Sequence, residues 1–366
     1  MKISFPHMGN LYIPLTLLFS SLGLEVVVPP PISKETMNLG VKYSPEGACL
    51  PFKLTLGNFL EAAALGADTF FMAQGYGLCR FGFYTEVQQK IMRELGYETN
   101  MALVNISQNV LQNLLRKLKE LSGKSQLQVL GAVRLALVAI KVLDDLEKLL
   151  YQVRPRELRK GESTKVHQKT VDRLAQASSV SEIRRIGSEG MKELAAVGQD
   201  PARTPLRVGI LGEFYVVLEP FTSSDVERRL GEMGVEITKY LYASDWVSFH
   251  MFMKLFKVFK EHKSAAEAAR PYLAYNVSGD GLQTVGQTIL CAEEGFDGIV
   301  QLYPFTCMPE IVAKHMLPKV SDDFRIPVLS LGLDEHSGNA GFITRLEAFT
   351  DLINRRKSLR RLEVAK

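Results

Sequence analysis

Residues 2–31 read KISFPHMGNLYIPLTLLFSSLGLEVVVPPP, and the fold turns on how that stretch is parsed. KISF scans as a short strand and PHMGN as the loop that ends it. The apolar run to Leu22 has helical length, although Pro14, Ser20, Ser21 and Gly23 interrupt it. LEVVVPPP returns to β-branched residues and stops at three prolines, which cannot continue a ladder. A strand, a helix and a second strand in this order predict a parallel pair, because parallel neighbours need a long crossover. The Glu25 charge and the breaks at Pro14 and Gly23 argue against a signal peptide or a membrane span.

The same rhythm runs outward. An apolar helix is expected over about 54–65, then a strand DTFFMA, then a helix from near Tyr84. From about Asn105 to Gly198 the strand signal vanishes and helical runs follow one another, including VLGAVRLALVAIKVLDDLEKLLYQV at 129–153. RPRELRKGESTK at 154–165 reads as an exposed charged connection, and QDPARTP at 199–205 as a linker. Beyond it RVGILG, VEITKY, YLAYNV, FDGIVQLY and RIPVLSLGL are expected strands, alternating with helices, and GFITRLEAFTDLINRRK closes the chain as a helix. The fold class is therefore α/β: two doubly wound (Rossmann/flavodoxin-like) parallel-sheet lobes with a helical block between them. The expected boundaries are 1–105, 106–205, 206–332 and 333–366. There is no repeat of fixed period and no low-complexity tract.

Composition narrows the function. The chain has 366 residues, enough for two lobes, with 46% hydrophobic and 23% charged residues and a net charge of only +4. No basic stripe is interleaved with aromatics, which argues against a nucleic-acid partner. The apolar 129–153 run carries Arg134, Lys141 and several acids and reads as a core helix rather than a membrane anchor. A cytoplasmic location is expected, where the four cysteines stay thiols.

Six unusual loops fall just after expected strands: PHMGN, AQGYGLCR, GEFYVVLEP, NVSGDG, YPFTC and DEHSG. The carboxyl edge of an open parallel sheet is where ligands bind, so a cleft between the lobes is expected there. Three cysteines stand in Gly/Pro-rich turns: Cys49 in GACLPFK, Cys79 in AQGYGLCRFG and Cys307 in QLYPFTCMPE. Thiolates in such turns suit an iron–sulfur cluster or zinc, with backbone amides approaching the sulfurs and one coordination position left open. Small buried hydrophobes are the other reading, since no C-x-x-C pair is present. Cys291, within TILCAEEG, reads as core filling.

The strings KISFPHMGNLYIP, VKYSPEGACLPFKLTLGNF, GADTFFMAQGYGLCRFGFY, RVGILGEFYVVLEPF and DEHSGNAGFITRLEAF resemble the 2-hydroxyacyl-CoA dehydratase component family. The closer likeness is to its branch of activase-associated proteins, and it covers both α/β lobes and the last helix. The resemblance implies a cluster held by three cysteines, here Cys49, Cys79 and Cys307. It also implies an ATP-hydrolysing iron–sulfur activase as partner, delivering one electron at low potential. Dehydratases of the family form a ketyl radical on a CoA thioester, and related reductases carry a double-cubane cluster. This chain has too few thiolates for the latter, so a single [4Fe–4S] cluster is expected. A homodimer or a heterodimer with a related α/β subunit, an anaerobic setting and a small-molecule substrate complete the expectation.

Other residues are read around that centre. Lys53 and Arg80 could stabilise a reduced cluster or hold an anionic substrate, or simply form salt bridges. His7 could act as a proton source or cap its loop. Glu213 and Tyr215, with Glu219, suit proton transfer at a strand end or anchoring of the lobe. NVSGDG could bind an anion. The Asp334-Glu335-His336 turn reads as a helix cap, with Arg345 paired inward. Three functions follow: an electron-accepting enzyme component that reduces a substrate, a non-catalytic relay or assembly subunit, and a cluster-free two-lobe binding protein.

Overall fold

The computed structural model of the chain describes residues 1–75, 77–106, 109–252 and 264–364; Tyr76 of the AQGYGLCR loop lies outside the described residues. By packing the chain falls into two units. One comprises Met1–Asp144, Thr170–Ser188 and Ala243–Phe259, the other Asp145–Lys169, Glu189–Tyr242 and Lys260–Lys366. The helical stretch between the lobes is thus shared out between the two units.

The first unit holds strands β1 (Lys2–Ser4), β2 (Glu25–Val26), β3 (Thr69–Gln74) and β4 (Asn100–Asn105), and the second holds β5 (Leu206–Gly212), β6 (Val235–Lys239), β7 (Gly298–Pro304) and β8 (Val328–Leu333). Every pair is parallel, and the orders are β2-β1-β3-β4 and β6-β5-β7-β8. The two sheets therefore wind the same way. In each, the chain leaves the first strand towards one side and returns on the other, which opens a crevice beyond the carboxyl ends of the two middle strands.

Side-chain alternation explains why helices cover both faces. Phe70 and Met72 of β3 enter a core with Phe52, Leu56 and Phe59, while Phe71 between them packs against Phe5, Phe19 and Val129 on the other face. All seven residues of β7 are buried, as a central parallel strand requires. Two helices, Lys34–Tyr43 and Leu50–Ala64, cross with their backbones in contact. A Cβ on Gly40 would lie 1.8 Å from the Lys53 carbonyl oxygen, and one on Gly57 2.1 Å from that of Thr36.

Three sequence expectations differ from the structure, and β4 was not foreseen. YLAYNV is not a strand: the N–H groups of Tyr272 and Leu273 both donate to the Ala269 carbonyl, ending a preceding helical turn, while their side chains join a helix-packed core. Local hydrogen bonds took the donors that a ladder needed. The 154–165 connection is buried at its start. Arg154 and Glu157 are 5% and 2% exposed, and the Glu157 carboxylate accepts from Gly161 N, Ser163 N and Ser163 Oγ. The helix expected from about residue 54 begins at Leu50, directly after Cys49.

One helical stretch, Gln126–Arg156, is long and apolar enough to cross a membrane by length and composition, and 39% of its most apolar window is buried. Val129, Ala132, Val133 and Ala136 belong to the first unit's core, and Leu150 and Val153 to a cluster with Leu194 and Val197 in the second.

Candidate functional site

Cys49, Cys79 and Cys307 share one local setting. Each is the residue immediately before a helical segment: Leu50–Ala64, the 3-10 turn Arg80–Phe83, and Met308–Phe324. Their backbones are extended, with φ of −72°, −71° and −77°, and none of the three side chains makes a capping hydrogen bond. Pro51 and Pro309 stand in the first turns that follow, where a missing N–H costs nothing. Serine, threonine, aspartate or asparagine would cap these helices better than cysteine. What the position offers cysteine is the positive end of the helix, which favours the thiolate over the thiol.

In the first unit the Cys49 and Cys79 turns are tied together. Arg80 Nη1 donates to the Gly47 carbonyl at 2.5 Å, two residues before Cys49. Tyr84 Oη hydrogen-bonds Cys49 Sγ, and its ring lies edge-on to both Phe52 and Phe81, with centroids 5.1 and 5.4 Å away. Cys49 is buried and Cys79 partly exposed. Lys53, one turn into the Cys49 helix, is only 4% exposed. The loop after β1 is pinned to the same helix, because His7 N donates to Asn58 Oδ1 at 3.0 Å. His7 Nε2 meets the Pro29 carbonyl at 2.7 Å. Burial lowers its pKa, so the ring is neutral at pH 7 with the proton on Nε2.

In the second unit the equivalent strand ends carry carboxyl groups. Gly212, at φ +133°, runs so close to β7 that a Cβ would lie 1.8 Å from the Leu302 oxygen. The next residue, Glu213, donates its N–H to that same carbonyl at 3.0 Å and caps the helix Phe214–Leu218 by accepting from Val216 N. Asp280, in the NVSGDG turn, accepts from Phe214 N at 3.2 Å. Glu310, three residues after Cys307, is fully buried and accepts from Thr284 Oγ1 at 3.0 Å and Gln301 Nε2 at 2.9 Å. Burial, with the charge of Asp280 second, pushes the Glu213 carboxyl up to about 7. Burial pushes Asp280 up to about 6, and burial with the neighbouring Asp280 and Glu213 charges pushes Glu310 up to about 8. The Tyr215 hydroxyl is buried with no hydrogen-bond partner, and burial together with Glu219 and Glu213 holds its pKa well above the usual phenol value.

Apolar side chains fringe the partly exposed cysteines. Leu78 and Phe83, on either side of Cys79, are 70% and 69% exposed, and Phe305 beside Cys307 is 63% exposed. The DEHSG turn is a local cap: Asp334 Oδ1 accepts from His336 N and Ser337 Oγ. Arg345 reaches the Ser330 carbonyl rather than an acid. Cys291 is fully buried against Phe296 and Ile299, and burial pushes its thiol up to about 12. Alkylation of the native protein with iodoacetamide should therefore modify Cys79 and Cys307 and spare Cys291, read by peptide mass spectrometry. Early labelling of Cys291 would contradict its placement.

Sequence reasoning missed Tyr84, Asp280 and Glu310. The signal for Glu310 was present in Cys307-Met308-Pro309-Glu310, which has the spacing of a capping box with cysteine in the capping position. Among the described residues no group of three or more His, Cys, Asp and Glu side chains is arranged to hold a metal ion. The donor chemistry of the three cysteines nonetheless suits a soft metal centre, since each sulfur stands at a helix N-terminus.

Residues 7–240 match the family model described as CoA enzyme activase uncharacterised domain (DUF2229), which spans more than half of the chain. No curated protein matches the chain.

Proposed function

The chain belongs to that family, and on this premise we propose that it is the iron–sulfur component of an ATP-dependent, low-potential reductase or dehydratase system. In this reading Cys49, Cys79 and Cys307 are the thiolate ligands of a [4Fe–4S] cluster, and an ATP-hydrolysing activase is the electron-donating partner. The observation that carries it is the placement of all three cysteines at helix N-termini that other residues would cap better. When bound, such a cluster supplies one-electron chemistry and, with three protein ligands, an open iron position for a small-molecule substrate such as a CoA thioester.

The chain's own residues have supporting roles. The Tyr84 hydroxyl donates to Cys49 Sγ and stabilises its thiolate. Arg80 holds the Cys79 turn against Gly47 and adds positive charge beside it, with Lys53 buried on the Cys49 helix. His7 keeps a proton at Nε2 on the Pro29 carbonyl. At neutral pH Glu310 holds its proton and Glu213 is about half protonated, with Asp280 largely ionised beside them, and Tyr215 offers a phenolic proton in the same unit. The protein works in the cytoplasm under anaerobic conditions, as a homodimer or with a related α/β subunit.

The exposed Leu78, Phe83 and Phe305 favour a second reading as well, since apolar side chains around a reactive cysteine suit a docking partner. In that reading the protein is a non-catalytic electron relay or assembly subunit for the activase.

The test is iron and acid-labile sulfide on anaerobically purified protein, with spectra before and after dithionite. About four of each per chain and a bleaching band near ~400 nm are expected. Replacement of Cys49, Cys79 or Cys307 by alanine should each lower the iron content at least threefold, while Cys291→Ala should not. Stoichiometric zinc without sulfide, or iron unaffected by these changes, would remove the proposal.

A further inference from the structure

An aliphatic groove of about 500 Å³ lies within the first unit, away from the cysteine turns in sequence and lined by three helices. Leu111 comes from the helix Val110–Ser122, Leu130 to Val142 from one face of Gln126–Val153, and Arg184 from Val180–Ala195. Leu130, Val133, Leu137, Val138 and Val142 follow helical spacing, so their side chains make a continuous apolar floor. The groove is closed at one end by tight packing, because a Cβ on Gly187 would lie 2.4 Å from Val142 Cγ1. Its size falls in the range of small-molecule sites.

The polar residues of the lining are all of one sign. Arg134, Lys141 and Arg184 are exposed and line the groove with their alkyl stems. The charges that count are those of Arg134 and Arg184 at its rim, since Lys141 is engaged within the protein, and no carboxylate is among the lining residues. Arg134 and Lys141 stand seven residues apart on one helix face, two turns along the apolar floor. Arg184 lies one turn before Gly187, at the closed end. An uncharged ligand or a cationic one would leave this arrangement unused. A ligand with a hydrocarbon body and a negative head uses both parts.

We propose that this groove binds a single aliphatic chain with an anionic head group, of the long-chain carboxylate class. The inference does not depend on the cysteine centre. It makes the helical block a ligand-binding element, and it accounts for a helix that is apolar enough to span a membrane yet has only 39% of its most apolar window buried.

The test uses the full chain, by titration calorimetry with octanoate, decanoate and dodecanoate below their micellar concentrations, and with dodecyltrimethylammonium. One site per chain is expected, tightening about fourfold per added methylene until the groove is filled. Dodecyltrimethylammonium should bind at least tenfold more weakly than dodecanoate. Val138→Trp fills the floor and should weaken dodecanoate at least tenfold. If that variant fails to fold by circular dichroism, Leu130→Arg at the 41% exposed mouth serves instead. Replacing Arg134 and Arg184 together by glutamate should weaken dodecanoate about tenfold and abolish its preference over the cation. Absence of saturable binding, no dependence on chain length, or affinity unchanged by the floor variants would overturn the proposal. The last two would mark the groove as a contact for another protein surface.

Discussion

Gly40→Ala is expected to destabilise the first unit by at least about 3 kcal/mol, a large fraction of the stability of an ordinary domain. The added methyl carbon would have to occupy a point 1.8 Å from the Lys53 carbonyl oxygen, and a backbone oxygen cannot rotate aside as a side chain can. The helices Lys34–Tyr43 and Leu50–Ala64 must separate instead, and packing around Phe52, Leu56 and Phe59 loosens with them. Gly57→Ala meets the Thr36 oxygen at 2.1 Å and should cost a similar amount. Combined, the two should cost less than their sum, because the first substitution has already moved the helices apart. Gly131→Ala is the control. Nothing lies within 4 Å of a Cβ there, and its helix should gain about 0.5–1 kcal/mol. Urea denaturation gives all four values. A neutral Gly40→Ala would mean that the helices do not cross as described, and that the Cys49 turn is held by something else.

The second large effect is a dependence of stability on pH. Glu213, Asp280 and Glu310 have folded pKa values of about 7, 6 and 8, all above the ordinary carboxylate range. Between the ordinary range and those values the folded chain binds more protons than the unfolded chain. Stability must then fall as pH rises, at about 1.4 kcal/mol per pH unit for each group still protonated only in the folded state. The benefit of the protonated acids is complete below pH ~4 and is lost progressively up to pH ~8. Glu310→Gln keeps a donor and acceptor beside Thr284 and Gln301 without a charge to desolvate. It should raise stability at pH 8 by about 3 kcal/mol and flatten the slope above pH ~6. The check is the urea midpoint of both proteins at pH 5, 6, 7 and 8. Equal slopes would show that Glu310 is ionised in the folded protein.

The parallel winding of both sheets was legible because crossover helices must separate parallel strands, and the sequence alternates in that way from Lys2 to Val26 and again from Leu206. The three turn cysteines were legible as a group for a plain reason: glycine and proline mark turns whatever the fold does. The carboxyl cluster was not. Glu213, Asp280 and Glu310 come from the starts of three separate helices, and only the pairing of β5 with β7 and the NVSGDG turn bring them into electrostatic contact. Tyr84 was missed for a similar reason, as its contact with Cys49 bridges two helices distant in sequence. YLAYNV misled because β propensity describes a half-buried surface, and a helix-packed core offers the same surface to Tyr272 and Leu273.

The cysteines before the helices have a bearing on how this chain changes over time. At position 307 a serine or aspartate would satisfy the first-turn amides that cysteine leaves to others, a gain of about 1 kcal/mol for Met308–Phe324. Random mutation followed by a screen for folding alone should therefore enrich Cys307→Ser and Cys307→Asp, whereas, with Cys307 as the cluster ligand we propose, a screen for the proposed redox reaction should purge them. Foldability and chemistry pull this one codon in opposite directions. A lineage released from the reaction would lose the thiol there early while keeping its architecture intact.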